Sequence, residues 1–337
     1  MKFSLLVCTY KRATPLLHLL KSVAVQTCYP SEIIIIDGSV DDETSLMLLE
    51  NSFPNLIYFK VSSEDRGLTK QRNFGIKKAN TDNEILCFLD DDTVLESDYF
   101  ENLLNTYVIF PEALGVGGYI NNEVIWQKVD PNYIVKNNEF IFDGWKRNEG
   151  KRFVLRKKLG LDADVAPGFL PAFSHGRSIG FLPPSGKIYE TQQLMGGVSS
   201  FKKSVFETLQ FSTYFEGYGL YEDADFTLRV SEIGKLFVNT NARLAHHHHE
   251  SGRPNKYDYG KMVVRNGYYV WRIKNPKPSF RTKIKWHSIT WLLTVVRSFN
   301  ILDKSPIKRK EAFTEALGRT IGWWSLLFNR PKPVKYP

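Results

Sequence analysis

From Phe3 the chain reads FSLLVC, then turns polar, and then places Leu16, Leu19, Leu20 and Val23 at i, i+3, i+4 and i+7. A short continuous apolar run suits a strand buried on both faces, and the second spacing is one face of a helix. Thr14 and Pro15 offer that helix an N-cap and a first-turn proline. The alternation repeats. EIIIID (32–37) predicts a strand, 41–50 a helix, LIYFKV (56–61) a strand, GLTKQRNFGIKKA (67–79) a helix, and EILCFL (84–89) a fourth strand. Strands and helices alternating at this spacing predict an open α/β sheet.

Between 121 and 190 the periodicity fades and Gly, Pro and aromatics accumulate, which predicts long loops over a site. Regularity returns with QQLMGGVSSF (192–201), read as a strand. YEDADFTLRVSEIG (221–234) reads as a helix with Phe226, Val230 and Ile233 inward and Gly234 as its stop. KLFVN (235–239) reads as a strand. From about Tyr257 the pattern is helical, basic and aromatic. The expected division is therefore an α/β domain over 1–255 and a basic, aromatic helical region over 256–337. No internal repeat is present.

In open α/β sheets, ligands bind beyond the carboxyl ends of the strands. Here those ends are Thr9-Tyr10-Lys11-Arg12, Asp37-Gly38-Ser39, Glu64-Asp65-Arg66 and Asp90-Asp91-Asp92. Three adjacent carboxylates repel one another unless something positive sits between them. Mg²⁺ or Mn²⁺ fits, since each takes one or two carboxylates and fills its other positions with phosphate oxygens and water. The plainer alternative is an acidic helix N-terminus, but a triplet directly behind a buried strand favours the cation. A nicotinamide dinucleotide is excluded at this point. CTYKR, not G-x-G-x-x-G, follows the first strand, GVGGYI comes too late, and there is no P-loop.

VCTYKR, IIIIDGSVDD, GLTKQRNFGI, FLDDDT and YEDADF, in this order and spacing, resemble the family 2 inverting glycosyltransferases over roughly residues 1–250. The resemblance implies the GT-A fold, a Rossmann-like mixed sheet flanked by helices, here with a C-terminal helical extension. It implies transfer of a sugar from a nucleotide-diphosphate sugar, a UDP-sugar or else a dTDP- or GDP-sugar. The acceptor would be a hydroxyl of a cell-surface glycan or a lipid-linked molecule, and the cofactor Mn²⁺ or Mg²⁺. Thr9, Tyr10 and Arg12 would form the first nucleotide-binding loop, and Asp37 would read the base, with Ser39 in the same set. Arg72, Asn73 and Asp90 would lie beside the donor, Asp91 on the ribose, and Gly197 next to the donor sugar. Asp92 would hold the metal together with His246, or else His248, from the run His246 to His249. Glu222 and Asp223 match the acidic pair of the family. Asp223 would be the base that deprotonates the acceptor, with Glu222 or Asp225 orienting that acceptor.

Two other classes remain open on sequence alone. A sugar nucleotidyltransferase would carry a glycine-rich basic loop after the first strand, and CTYKRATPL has no glycine. A non-catalytic carbohydrate- or membrane-binding protein would not need Asp91, Asp92 and Asp223 together.

Composition changes the picture in one place. The 337 residues are 42% hydrophobic, as in a globular protein, and carry a formal net charge of +9. The excess is concentrated after Arg253, where Lys and Arg alternate with Trp, Tyr and Phe. No nucleic-acid recognition motif accompanies them. The segment suits either an anionic membrane surface, with Trp271, Trp286, Trp291, Trp323 and Trp324 at the headgroups and the basic groups of 274–285 above them, or a helical cap with a solvated basic face. ITWLLTVV is far shorter than the ~20 residues a span needs, and MKFSLLVCTYKR is too short in apolar residues for a signal peptide. Cys8, Cys28 and Cys87 form neither a CxxC pair nor a disulfide framework. These signals predict a cytoplasmic protein, peripheral on the inner face of the cell membrane. Oligomeric state has no signature.

Overall fold

The structure is a computed structural model that describes residues 1–215, 217–248 and 254–333. Its strands are β1 (Phe3–Thr9), β2 (Glu32–Asp37), β3 (Leu56–Lys60), β4 (Ile85–Asp90), β5 (Thr93–Leu95), β6 (Ala113–Ile120), β7 (Gln127–Lys128), β8 (Glu139–Phe142), β9 (Trp145–Asn148), β10 (Ile188–Thr191), β11 (Val198–Lys202) and β12 (Lys235–His246). Its helices are α1 (Ala13–Ala24), α2 (Glu43–Glu50), α3 (Leu68–Lys78), α4 (Tyr99–Ile109), α5 (Lys151–Lys158), α6 (Glu222–Ser231), α7 (Lys256–Lys274), α8 (Phe280–Ser298) and α9 (Pro306–Phe328).

The chain divides into two compact units. The first holds residues 1–126 and 179–248, and the second holds 127–178 with 254–333. A single cut at 255/256 does not describe this. The middle segment belongs with the C-terminal helices, and it is not merely loop: β7, β9 and β8 form an antiparallel sheet, and α5 follows.

In the first unit the strands lie in the order β10-β12-β6-β11-β4-β1-β2-β3, with β5 on β12. β1, β2, β3 and β4 are mutually parallel, while β11 runs antiparallel between β4 and β6. Alternation explains why β1 and β2 read as continuous apolar runs. Phe3, Leu5, Val7, Ile33 and Ile35 enter one core with Leu16, Leu19, Leu20 and Val23 of α1 and with Phe100, Leu103 and Tyr107 of α4. Leu6 and Ile36 face the other way, onto Gly75 of α3, where an added Cβ would lie 2.9 Å and 2.8 Å from their methyl groups. On that side the rings of Phe211 and Phe226 stack at 4.2 Å, and Phe88 meets Phe211 edge-on.

Several local expectations change. The N-cap of α1 is Arg12, not Thr14. The strand read over 192–201 begins only at Val198, so Gly196 and Gly197 precede it. Ile233 is 57% exposed, because α6 ends before it. Gly234 is needed for space and not for a helix stop, since a Cβ there would come within 2.4 Å of Leu114.

In the second unit, Trp271 and Trp286 are buried and stack at 5.1 Å. The Trp271 indole donates to the Ala172 carbonyl, and the half-buried His175 ring faces Trp286 and Thr290. These two tryptophans are core, so they cannot anchor at headgroups as the sequence suggested. α9 approaches α7 through glycines: a Cβ on Gly318 would lie 2.0 Å from the Tyr257 carbonyl oxygen, and one on Gly260 2.2 Å from that of Glu315. Small residues are what allow two backbones this close. Among the described residues, no helix is long and apolar enough to cross a membrane.

Candidate active site

Parallel register gathers the predicted residues at one edge. Thr9 pairs with Asp37 and Cys8 with Asp90, so β1, β2 and β4 end level with one another. Beyond β1 the chain turns through Lys11 in the left-handed region (φ 56°), and the Lys11 amide donates to the Ser39 hydroxyl at 2.7 Å. Asp37 is fully buried. Its carboxylate accepts from the Ser39 amide and, at 2.9 Å, from the Tyr58 hydroxyl. Tyr10, at the same edge, is exposed.

The three aspartates have three different environments. Asp91 points inward and accepts from the Thr9 hydroxyl at 2.7 Å and from Arg12 at 3.0 Å. Burial lifts its carboxyl to about 7, although Arg12 and Thr9 pull the other way. Asp90 lies directly over Gly197, opposite it in the β4–β11 pairing, where a Cβ would fall 2.0 Å from the Asp90 carboxyl carbon. Asp92 is buried and meets His246, its Oδ1 3.0 Å from Nε2. The pairing of β5 with β12 makes that contact: Thr93 opposes His246, and the His247 amide donates to the Asp92 carbonyl. Burial alone would depress the His246 imidazole, but its contacts with Asp92 and Glu123 outweigh that and raise it to about 10.

Ligand atoms of Asp90, Asp92 and His246 lie within 4.8 Å of one another, and so do those of Glu123, His246 and His248. Nδ1 of His246 is buried and faces Glu123, whose Oε1 lies 3.4 Å away. Hard carboxylate oxygens with one imidazole suit Mn²⁺ or Mg²⁺ better than a soft thiophilic ion. The residues fit a divalent cation. Glu123 was not anticipated, because a single acid in the loop after β6 has no motif around it. His249 lies outside the described residues.

The acidic pair stands at the start of α6. Tyr221 adopts a left-handed conformation (φ 70°) at the N-cap, after Gly217 and Gly219 at φ 71° and 74°. That turn aims Glu222 and Asp223 at the same edge. Arg72 of α3 is buried; it binds Glu222 at 2.5 Å, stands 3.7 Å from Asp90, and lies over the Phe211 ring. Burial raises Glu222 above the ordinary carboxylate range against the pull of Arg72. Asp223 is half-buried and accepts from the Ala224 amide at 2.7 Å and the Gly196 amide at 3.3 Å. Burial raises it too.

Two named residues are occupied elsewhere. Asp225 is buried and held by Arg229 at 2.5 Å, so it does not reach an acceptor. Both ends of the Asn73 amide are taken by the Phe211 backbone, so Asn73 anchors the 211 segment. Gln71, which the sequence did not single out, donates to the Thr9 and Ile36 carbonyls and ties the ends of β1 and β2 to α3.

Residues 4–166 match the family model described as glycosyl transferase family 2. That stretch belongs to this family. The chain is 30% identical over 145 residues to a glucosyl-dolichyl phosphate glucuronosyltransferase of Haloferax volcanii, covering 42% of each chain. It is 31% identical over 105 residues to an O-antigen chain rhamnosyltransferase of Salmonella typhimurium, covering 31% of this chain and 32% of that one. The matches thus span less than half of these relatives. The fold is similar to that of a mannosyltransferase from Pyrobaculum calidifontis solved with GDP-Man and Mn²⁺. The TM-score is 0.56 at 14% identity, over 98% of this chain and 88% of the other. The architecture is GT-A.

Proposed function

We propose that the protein transfers a sugar from a nucleotide-diphosphate sugar to an acceptor hydroxyl, with inversion, using Mn²⁺ or Mg²⁺. The observation that carries this reading is the convergence of two groups. Asp90, Asp92 and His246 cluster within 4.8 Å, and Arg72 links Asp90 to the Glu222–Asp223 turn.

Asp92 and His246 would hold the cation, with Asp90 as a third ligand. When bound, it supplies charge stabilisation to the diphosphate as that leaving group departs. The chain's own groups do the rest. Asp37, Ser39 and the loop from Thr9 to Arg12 receive the nucleotide, and Asp91 positions that loop through Thr9 and Arg12. Asp223 takes the proton of the acceptor hydroxyl as its oxygen attacks the anomeric carbon. The bond to the diphosphate oxygen breaks with its electron pair leaving on that oxygen. Attack opposite the leaving group inverts the centre. A carboxylate raised by burial is a stronger base than an ordinary one, which suits Asp223. Glu222, fixed by Arg72, orients the acceptor beside it.

Relatives named for a dolichyl phosphate substrate and for an O-antigen chain support a lipid-linked or cell-surface glycan acceptor. A neighbour holding GDP-Man and Mn²⁺ supports a nucleotide-sugar donor with a cation. The protein would work as a peripheral enzyme on the inner face of the cell membrane. The test is a panel of UDP-, dTDP- and GDP-sugars, read as release of nucleoside diphosphate with Mn²⁺ and with chelator. One donor is expected to turn over only with the cation, and Asp92→Ala is expected to abolish that turnover. Undiminished turnover by Asp92→Ala in chelator would remove the metal from the account.

A further inference from the structure

Helix α9 carries its large apolar residues on the outside. Between 311 and 328 the exposed positions are Phe313, Leu317, Ile321, Trp324, Leu327 and Phe328, and none is polar. They recur at i, i+4, i+8, i+11 and i+14/15, one face about 22 Å long at ~1.5 Å per residue. The buried face holds Ala312, Glu315, Ala316, Gly318, Gly322 and Leu326. A helix facing water has the opposite distribution. Val295, Phe299 and Leu302 are also exposed along α8 and the turn after it. Trp291 of α8 reaches α9 through a chain of rings, 5.0 Å to Trp323 and 5.3 Å on to Trp324. An exposed apolar area of this continuity marks an interaction surface.

Both ends of the stripe are basic. Lys304, Lys308, Arg309 and Lys310 stand exposed at the start of α9, and Arg330 and Lys332 just past its end. Few acids offset them. Asp303 accepts from the Ser305 amide, Glu311 lies against Lys256, and the buried Glu315 is held by Arg297 and Arg319. A second copy of the chain is a poor occupant: antiparallel pairing about a twofold sets the 308–310 cluster against Arg330 and Lys332, and parallel pairing sets each cluster against itself. Like charges facing each other disfavour both. An anionic lipid surface complements both ends at once.

We propose that α9, with the adjoining part of α8, docks in the plane of an anionic bilayer. The six apolar side chains lie below the headgroups and the two basic clusters lie among them. This moves the proposed membrane contact from 274–285 and from Trp271 and Trp286 to α9 and the adjoining part of α8. It rests on the surface alone and holds whatever group the protein transfers.

The experiment is flotation of the full chain with phosphatidylcholine vesicles, with and without phosphatidylglycerol. Binding is expected to need phosphatidylglycerol, to weaken with salt and to blue-shift tryptophan fluorescence. Leu317→Glu with Ile321→Glu is expected to weaken partitioning at least about tenfold, since each carboxylate would have to enter the apolar layer. Neutralising Lys308, Arg309 and Lys310 should cost about fivefold per charge, and more than neutralising the basic residues of 274–285. Circular dichroism checks the fold of each variant, and Leu317→Ser with Phe328→Ser replaces the double Glu variant if it misfolds. Three results overturn the proposal. They are an intact protein that ignores phosphatidylglycerol vesicles at low salt, apolar variants that bind as well as the parent, and a parent dimer that those variants dissociate.

Discussion

Gly197 shows how a residue without a side chain shapes the site. Any Cβ there would fall 2.0 Å from the Asp90 carboxyl carbon, so Gly197→Ala must push Asp90 out of the cluster it shares with Asp92 and His246. Turnover is expected to fall at least about tenfold, because misplacing a group by an ångström is costly at a reacting centre. Steady-state kinetics at saturating Mn²⁺ would check this, and parental kinetics would refute it. The aspartate triplet and the Glu222–Asp223 pair could be singled out in sequence because their acids are adjacent letters, and the fold brings Asp90 and Glu222 onto the same Arg72. Glu123 was not, because only the fold brings it within 3.4 Å of His246. Sequence also could not tell that Asn73 is spent on Phe211, a partner distant along the chain; the Asp225–Arg229 pair, by contrast, lies one helical turn apart, a spacing that sequence does carry.

Elements were legible where burial is two-sided or strictly periodic. The β-branched run of β2 is buried at every position and could be little else than a central strand. β7, β8 and β9 have two to four residues each, too few for any period to register. In α9 the inward face is small and the outward face large, so a reading that puts bulky apolar residues inside fails there. Gly318→Ala should therefore destabilise the second unit by about 1–3 kcal/mol through overpacking against α7, seen as a lower melting midpoint; an unchanged midpoint would mean the helices can separate freely. His175 makes the same unit acid-sensitive. Burial first, then the charges of Arg156 and Arg319, depress its imidazole to about 3 from 6.5. Folded His175 stays neutral while the unfolded residue takes up a proton. Stability is thus fully present above pH 6.5 and falls, as pH drops toward about 3, by at most ~1.4 kcal/mol per pH unit. Urea titrations followed by tryptophan fluorescence would measure it, and His175→Gln should flatten the slope. An equal slope in that variant would assign the effect to other groups.

At the scale of the whole molecule, sequence motifs outlined the sheet of the first unit because its polar residues follow successive strand ends. They missed that 127–178 joins the C-terminal helices, since no composition shift marks that partnership. The family 2 match, the GT-A architecture and the converging site all bear on one claim, that Asp223 activates an acceptor opposite a cation-held diphosphate. The most direct measurement pairs donor affinity with turnover for the parent protein and Asp223→Asn, both with Mn²⁺. The substitution keeps the shape of the side chain but removes its ability to take a proton. The account predicts unchanged donor binding and turnover lowered by ~10²-fold or more, with Glu222→Gln less affected. Near-parental turnover by Asp223→Asn, with a large loss in Glu222→Gln, would contradict it.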